Sequence, residues 1–191
     1  MTLQLDRHGW LRPRAGVLLC PSPNFDARPA DAQVRLLVLH NISLPPGRFG
    51  GPHVAGLFTN TLDYGAHPWL ERLRGLRVSA HFFVRRDGAI VQFVATAARA
   101  WHAGVSAFQG SARCNDFSLG IELEGTDTLP YEDAQYHALA RLAAVLRARH
   151  PLVWAAGHEH IAPGRKTDPG PAFDWPRFAR AANWPRRHLP R

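Results

Sequence analysis

Cysteine is scarce in this chain, and long apolar runs are missing. Two cysteines in 191 residues, Cys20 and Cys114, are too few for a disulfide-stapled scaffold and favour a reducing compartment. No apolar run approaches the roughly 18 residues that a membrane-spanning helix needs. The first sixteen residues carry charges throughout and do not resemble a secretory signal. We therefore expect a cytoplasmic protein without membrane insertion.

Lysine is almost absent as well. Of the 23 basic Lys and Arg residues one is Lys166 and the other 22 are Arg, within a net charge of +8. No run of five like charges and no basic-aromatic motif occurs, so we expect no nucleic-acid partner. The positive charge fits either a solvated surface or a basic cleft for a carboxylate-rich substrate, and both interpretations stay open.

The composition, with 46% hydrophobic and 20% charged residues, is typical of a globular chain. Its length favours one domain, residues 1–191, with an irregular lead-in at 1–33 and a basic tail at 184–191 that we expect to be frayed. Hydrophobic patterns predict an α/β or α+β domain built on one mixed β-sheet. We expect the α/β fold, a single domain whose central mixed β-sheet is flanked by helices. The expected strands are 36–39, 80–85, 90–94 and 118–123, with an Asp-Gly hairpin turn at 87–88. We expect three helices: a short one that begins at Pro52 and two more over 131–149 and 175–182.

Two histidines and one aspartate could form a metal site. His40 closes a buried strand, which holds a ligand firmly, and a loop with Pro163 and Gly164 could bring His158 and Asp168 to the same centre. Two imidazoles and one carboxylate suit an open zinc site with a position left for water. The pair His158 and His160 is a rival chelate, although this stretch has the composition of a loop.

Three further residues could carry chemistry. Glu122 and Glu124 share one face of a strand because side chains alternate. They indicate either a proton acceptor in a site or a solvent-exposed strand face. Lys166 precedes Asp168 by two residues, where an ammonium could stabilise charge developing on a substrate oxygen.

Several long strings carry a specific resemblance. They are VLHNISLPPGRFGGP, RVSAHFFVRRDG, AWHAGVS, CNDFSLGIELEGTDT and GHEHIAPGRKTDPGPAFDW. Together they closely resemble the AmpD-type amidases, cytoplasmic N-acetylmuramoyl-L-alanine amidases that act on 1,6-anhydro-muropeptides. The similarity runs in order from about residue 9 to residue 175. Its fold is the one shared by these amidases and the peptidoglycan recognition proteins.

The resemblance implies a role for each matching position. It implies a zinc-dependent hydrolase that cuts the amide bond between the lactyl group of the muramic sugar and L-alanine. The implied process is muropeptide recycling, and we expect the protein to be a monomer. The implied zinc ligands are His40, His158 and Asp168, the catalytic residues Glu122 and Lys166, and the substrate contacts Asn41, Arg77 and Arg113.

Two positions depart from the family pattern. His160 stands where the family commonly has Asn, so we do not expect it to bind metal, and Trp69 stands where an aromatic hydroxyl is expected. A non-catalytic muropeptide-binding module is the alternative function. The intact ligand positions favour the enzyme.

Overall fold

A computed structural model describes residues 2–190 of the chain. Ten strands, four α-helices and four 3₁₀ helices make up its regular structure. The strands are β1 Val17–Leu19, β2 Phe25–Asp26, β3 Leu36–Ile42, β4 Phe82–Val84, β5 Ile90–Gln92, β6 Arg99–Ala100, β7 Ala107–Phe108, β8 Ser111–Ala112, β9 Ser118–Glu124 and β10 Trp154–Gly157. The helices are α1 His53–Thr59, α2 Asp133–Arg149, α3 His158–Ile161 and α4 Trp175–Ala181, and the 3₁₀ helices are Tyr64–Ala66, Pro68–Leu73, Cys114–Asp116 and Arg186–His188.

Six strands form the central sheet in the order β1-β5-β4-β9-β3-β10. All neighbouring pairs are parallel except β4 and β5, which form the predicted antiparallel hairpin. The turn between them needs Gly88, whose φ is +82° and whose missing Cβ would lie 2.8 Å from the carbonyl oxygen of Ala134. The predicted mixed sheet with flanking helices is confirmed.

Helix α2 covers one face of the sheet. Its start is fixed by a capping box in which Glu132 and Gln135 bond each other's backbone amides. Leu139, Leu142 and Leu146 are fully buried against the strands. Each such leucine contributes about 1.5–3 kcal/mol through burial, which makes this layer the main core.

The opposite face of the sheet is divided. One small apolar cluster forms around Phe58, Phe83 and Phe93, and another around Val38, Ala156 and Ile161. Between them the face carries polar side chains, which is where the candidate site lies. Among residues 2–190, no helix combines the length and apolar character that crossing a bilayer requires.

Several sequence predictions were wrong in detail. The lead-in is not irregular throughout, because β1 and β2 fall within it and β1 pairs with β5. The strand β10 was missed, and the stretch after it is the helical turn α3 rather than a loop. These elements have two to four residues, too few for a periodicity to appear. The tail is also packed, since the ring of His188 lies 4.7 Å from that of Trp154.

Candidate metal centre

The strand ends bring two histidines together. His40 is the fifth residue of β3, and His158 follows β10 directly. Because β3 and β10 are parallel neighbours with Leu39 opposite Gly157, their carboxyl ends place both histidines at the same edge of the sheet.

Asp168 completes a tight group with the two histidines. Nδ1 of His40 lies 3.0 Å from Nδ1 of His158 and 3.0 Å from Oδ2 of Asp168, and the remaining distance, from His158 Nδ1 to Asp168 Oδ2, is 3.1 Å. Within residues 2–190 this is the group of metal-ligating side chains whose donor atoms converge. Ligand atoms about 2.0–2.1 Å from a tetrahedral zinc stand roughly 3.3 Å apart, so the three residues fit that ion.

Hydrogen bonds behind the histidines leave the correct nitrogens free. Nε2 of His158 lies 3.1 Å from the carbonyl oxygen of Ala103, which can only accept, so the His158 proton is on Nε2 and the lone pair is on Nδ1. Burial lowers the pKa of His40 to about 4, against the opposing effect of Asp168, so this ring is neutral near pH 7. Burial opposes ionisation of Asp168, but its contacts with both imidazoles hold its pKa well below the usual range.

Glu122 faces the same space. It pairs with His40 across β9 and β3 and lines the cleft together with His158 and Asp168. Its Oε2 atom is buried and has no hydrogen-bond partner among residues 2–190. Burial raises the pKa of Glu122 well above its ordinary value, the charge of Asp168 raises it further, and that of Lys166 opposes the rise. An unpartnered carboxylate oxygen in this place is suited to take a proton from a bound molecule.

The cleft has a volume of about 540 Å³. Lys166 lines it, together with an apolar wall that contains Leu57, Trp69 and Trp101. Of the two open interpretations of the positive charge, a basic cleft is not supported by these lining residues, since they include three carboxylates and one ammonium but no guanidinium. The arginines lie outside this lining.

The three proposed substrate contacts occupy different places. Asn41 lines the cleft, and its amide donates to Asp127 at 2.7 Å and to the carbonyl of Pro169 at 3.2 Å, which leaves its own oxygen available. Arg77 is exposed and Arg113 pairs with Asp116 at 3.2 Å, and neither lines the cleft. Their contact with substrate stays a prediction.

Two other candidates turn away from the ligands. Nδ1 of His160 accepts the backbone N–H of Gly157, so the rival chelate with His158 is not formed. Glu124 is only 4% exposed, which makes the solvent-exposed strand face wrong. Its carboxylate accepts the backbone N–H groups of Gly50 and Arg86, at 2.6 and 3.1 Å.

Sequence reasoning missed two residues of the site. His102 is buried at the cleft with Nδ1 2.9 Å from Nε2 of His40, and no role was predicted for it. Asp127 lines the cleft and orients Asn41. Both residues stand in strings that carry the resemblance, His102 in AWHAGVS and Asp127 in CNDFSLGIELEGTDT, and that was the signal that could have found them.

Comparisons with a family profile and with known proteins both find N-acetylmuramoyl-L-alanine amidases. The family profile described as N-acetylmuramoyl-L-alanine amidase matches residues 30–171. The 1,6-anhydro-N-acetylmuramyl-L-alanine amidase AmpD of Salmonella typhimurium strain SL1344 is 60% identical over 172 residues, 89% of this chain and 90% of that protein. AmpD of Escherichia coli K12 is 59% identical over 172 residues, 89% of this chain and 92% of that protein.

Solved structures agree with these relatives. A crystal structure of a selenomethionine AmpD derivative superposes with a TM-score of 0.88 at 57% identity, covering 93% of this chain and 98% of that one. The amidase AmiD of E. coli, solved with the substrate anhydro-N-acetylmuramic acid-L-Ala-D-γ-Glu-L-Lys, superposes with a TM-score of 0.57 at 28% identity, covering 93% of this chain and 65% of that one.

Proposed function

This chain belongs to the N-acetylmuramoyl-L-alanine amidases and is an enzyme of the AmpD type, and on that premise we propose that it hydrolyses anhydro-muropeptides with one zinc ion held by His40, His158 and Asp168. The observation that carries the proposal is the convergence of three ligand atoms within 3.0–3.1 Å beside an unpartnered oxygen of Glu122.

The ligand set explains why a cation belongs there. Two neutral imidazoles and one carboxylate direct lone pairs at a common point, and such an arrangement repels itself unless a positive charge lies between them. With those ligands a zinc would have a net charge of about +1. When bound, zinc acts as a Lewis acid that polarises a carbonyl and lowers the pKa of bound water to about 7.

Glu122 moves the protons of the reaction. Its buried Oε2 takes a proton from the attacking water as the oxygen bonds to the lactyl carbonyl carbon. The same carboxyl then gives that proton to the nitrogen of L-alanine as the C–N bond breaks. The raised pKa of Glu122 suits both steps, because the group must hold the proton between them.

Lys166 stabilises the negative charge on the carbonyl oxygen. It is the one ammonium among the residues that line the cleft. A donor aimed at such an oxyanion typically contributes about 3–4 kcal/mol to catalysis. Asn41 would position the muropeptide through its free amide oxygen, and Arg77 and Arg113 would approach the stem-peptide carboxylates from the surface.

The substrate class rests on the relatives. The AmpD relatives are 1,6-anhydro-N-acetylmuramyl-L-alanine amidases, and AmiD was solved with an anhydro-muramyl tripeptide. The cleft, with a ligand group at its floor and an apolar wall, offers places for the scissile amide and the sugar. We propose that the protein works on such fragments in cytoplasmic recycling, as a single-domain monomer.

A defined anhydro-muropeptide tests the proposal directly. Mass spectrometry should detect free stem peptide and anhydro-N-acetylmuramic acid with the zinc-loaded enzyme, and one zinc per chain should be measured by metal analysis. Exhaustive chelation should abolish turnover, and one equivalent of zinc should restore it. Full turnover after verified zinc removal would refute the metal-dependent mechanism, and cleavage at any other bond would refute the assigned reaction.

A further inference from the structure

A line of hydrogen bonds runs from His40 into the core on the side away from Asp168. Nε2 of His40 lies 2.9 Å from Nδ1 of His102, and Nε2 of His102 lies 3.2 Å from Oγ of Ser118. Oγ of Ser118 in turn lies 2.6 Å from the carbonyl oxygen of Cys114. His40, His102, Ser118 and Cys114 are all buried, and His102 also borders the cleft.

The last bond sets the direction of the others. The carbonyl of Cys114 can only accept, so the single hydroxyl proton of Ser118 points at it. The oxygen of Ser118 must therefore accept from Nε2–H of His102. A neutral His102 then has its lone pair on Nδ1 and accepts the proton on Nε2 of His40.

Burial requires that His102 is neutral. The residue is 8% exposed, and within residues 2–190 its two ring nitrogens hydrogen-bond His40 and Ser118, neither of which is an anion. A buried imidazolium without a counter-ion is costly. With one proton on His102 and one on His40, Nδ1 of His40 is left as a lone pair facing His158 and Asp168.

The ring of His102 is fitted closely into this position. Its backbone N–H and that of Ala103 donate to Oδ1 of Asn115, at 3.2 and 2.8 Å. The ring lies against Gly120 of β9, where an added Cβ would come within 2.5 Å of Cγ of His102. The ring explains why a glycine stands at this point of a central strand, since a side chain on residue 120 would occupy the space of the His102 ring.

We propose that His102, held by Ser118, is a positioning residue that fixes the Nε2–H tautomer of His40 and so directs His40 Nδ1 to the metal. The inference rests on the proposed zinc site. Outer hydrogen bonds of this kind orient metal-binding histidines, and their loss typically weakens metal binding about 10–100-fold.

The tautomers can be measured directly. In ¹⁵N-histidine-labelled wild-type protein at pH 7, with and without one equivalent of zinc, two-bond ¹H–¹⁵N correlation spectra should show a protonated Nε2 and an unprotonated Nδ1 for His102. The zinc-loaded protein should also show a protonated Nε2 for His40. The signals are assigned with the variants His40→Gln and His102→Asn. A protonated Nδ1 on His102, with or without zinc, would overturn the inference.

Matched variants then test the effect on the metal. His102→Asn keeps an acceptor oxygen close to the place of Nδ1, whereas His102→Leu has similar size and no acceptor. Competition with a chromophoric chelator should give His102→Leu a zinc dissociation constant about 10–100-fold above wild type. His102→Asn should recover most of that loss, and Ser118→Ala should fall between wild type and His102→Leu. Thermal unfolding of the metal-free variants checks that each one folds.

The outcomes separate the two proposals. A wild type that binds no zinc removes both. A wild type that binds zinc, with folded His102→Leu binding equally well, overturns the positioning role alone. Equal losses in His102→Asn and His102→Leu also overturn it, because the acceptor would then not matter.

Discussion

Glu122 lies directly opposite His40 on the neighbouring parallel strand. Residues paired in this way point to the same face of the sheet. The pairing of β9 with β3 therefore puts the proposed proton acceptor next to a proposed metal ligand without help from any loop. Both strands lie inside the sheet, between β4 and β10, and this holds the two side chains in a fixed relative position. Such rigid placement favours precise catalysis.

Replacement of Glu122 by Gln should separate chemistry from metal binding. The amide has the shape of the carboxyl but cannot take the proton of the attacking water, so kcat should fall about 10²–10⁴-fold. Zinc content should stay at one per chain. Glu71→Gln, an exposed glutamate outside the cleft lining, is the control and should keep wild-type kcat. Turnover of Glu122→Gln within a few-fold of wild type would remove Glu122 from the reaction.

Replacement of Lys166 by Met should reduce kcat with little change in KM. Methionine keeps the length of the side chain and removes the ammonium, so an interaction that forms with the oxyanion is lost. We expect a decrease of about 10²–10³-fold, measured by steady-state kinetics on a defined anhydro-muropeptide. Lys166→Arg restores charge and should recover part of the rate. A rise in KM at constant kcat would instead make Lys166 a substrate-binding residue.

The sequence predicted the central part of this fold because its signals are local. The pair Asp87-Gly88 between two apolar runs predicts the hairpin of β4 and β5. Leucines at helical spacing predict α2. Edge strands such as β1 have no signal of their own, since a three-residue strand depends on its neighbour. The same limit applies to β10, which forms by pairing in parallel with β3.

The candidate site was predictable only in its inner part. His40, Glu122, His158 and Asp168 stand in strings that resemble a known family. The structure places Glu122, His158 and Asp168 in one cleft, with His40 in contact with the last two. The contact between His102 and His40 could not be predicted, although His102 stands in such a string, because the two rings meet across 62 positions of chain. Such contacts appear only when the strands are assembled.

Replacement of Glu124 by Gln should destabilise the rim of the cleft. The two oxygens of the buried carboxylate accept the backbone N–H groups of Gly50 and Arg86. Glutamine keeps one acceptor oxygen and replaces the other with an NH2 group, so one of the two hydrogen bonds is lost. We expect a loss of about 1–3 kcal/mol in the free energy of unfolding, measured by urea denaturation. KM should rise because Leu44 and Pro46 line the cleft. An unfolding free energy within about 0.5 kcal/mol of wild type would contradict the anchoring role.

Acid should destabilise the protein partly through His150, at the end of α2. Burial lowers the pKa of this ring to about 4 from its ordinary value of 6.5, and the nearby charges of Arg149 and Arg28 lower it further. The unfolded chain binds a proton below pH 6.5 that folded His150 does not bind until about pH 4. Stability therefore falls as pH falls through that window and levels off below it.

His150→Gln removes this contribution, because glutamine does not titrate and can still contact Thr96, whose hydroxyl lies 2.9 Å from Nε2 of His150. Urea unfolding of metal-free protein between pH 4 and 7.5 should give the variant a shallower loss of stability than wild type. His137→Gln, an exposed histidine on the same helix, should leave the wild-type pH dependence intact. If the unfolding free energies of wild type and His150→Gln fall in parallel with pH, His150 does not cause the acid sensitivity. It would then arise at the other histidines whose pKa values are lowered by burial, His40, His81 and His102.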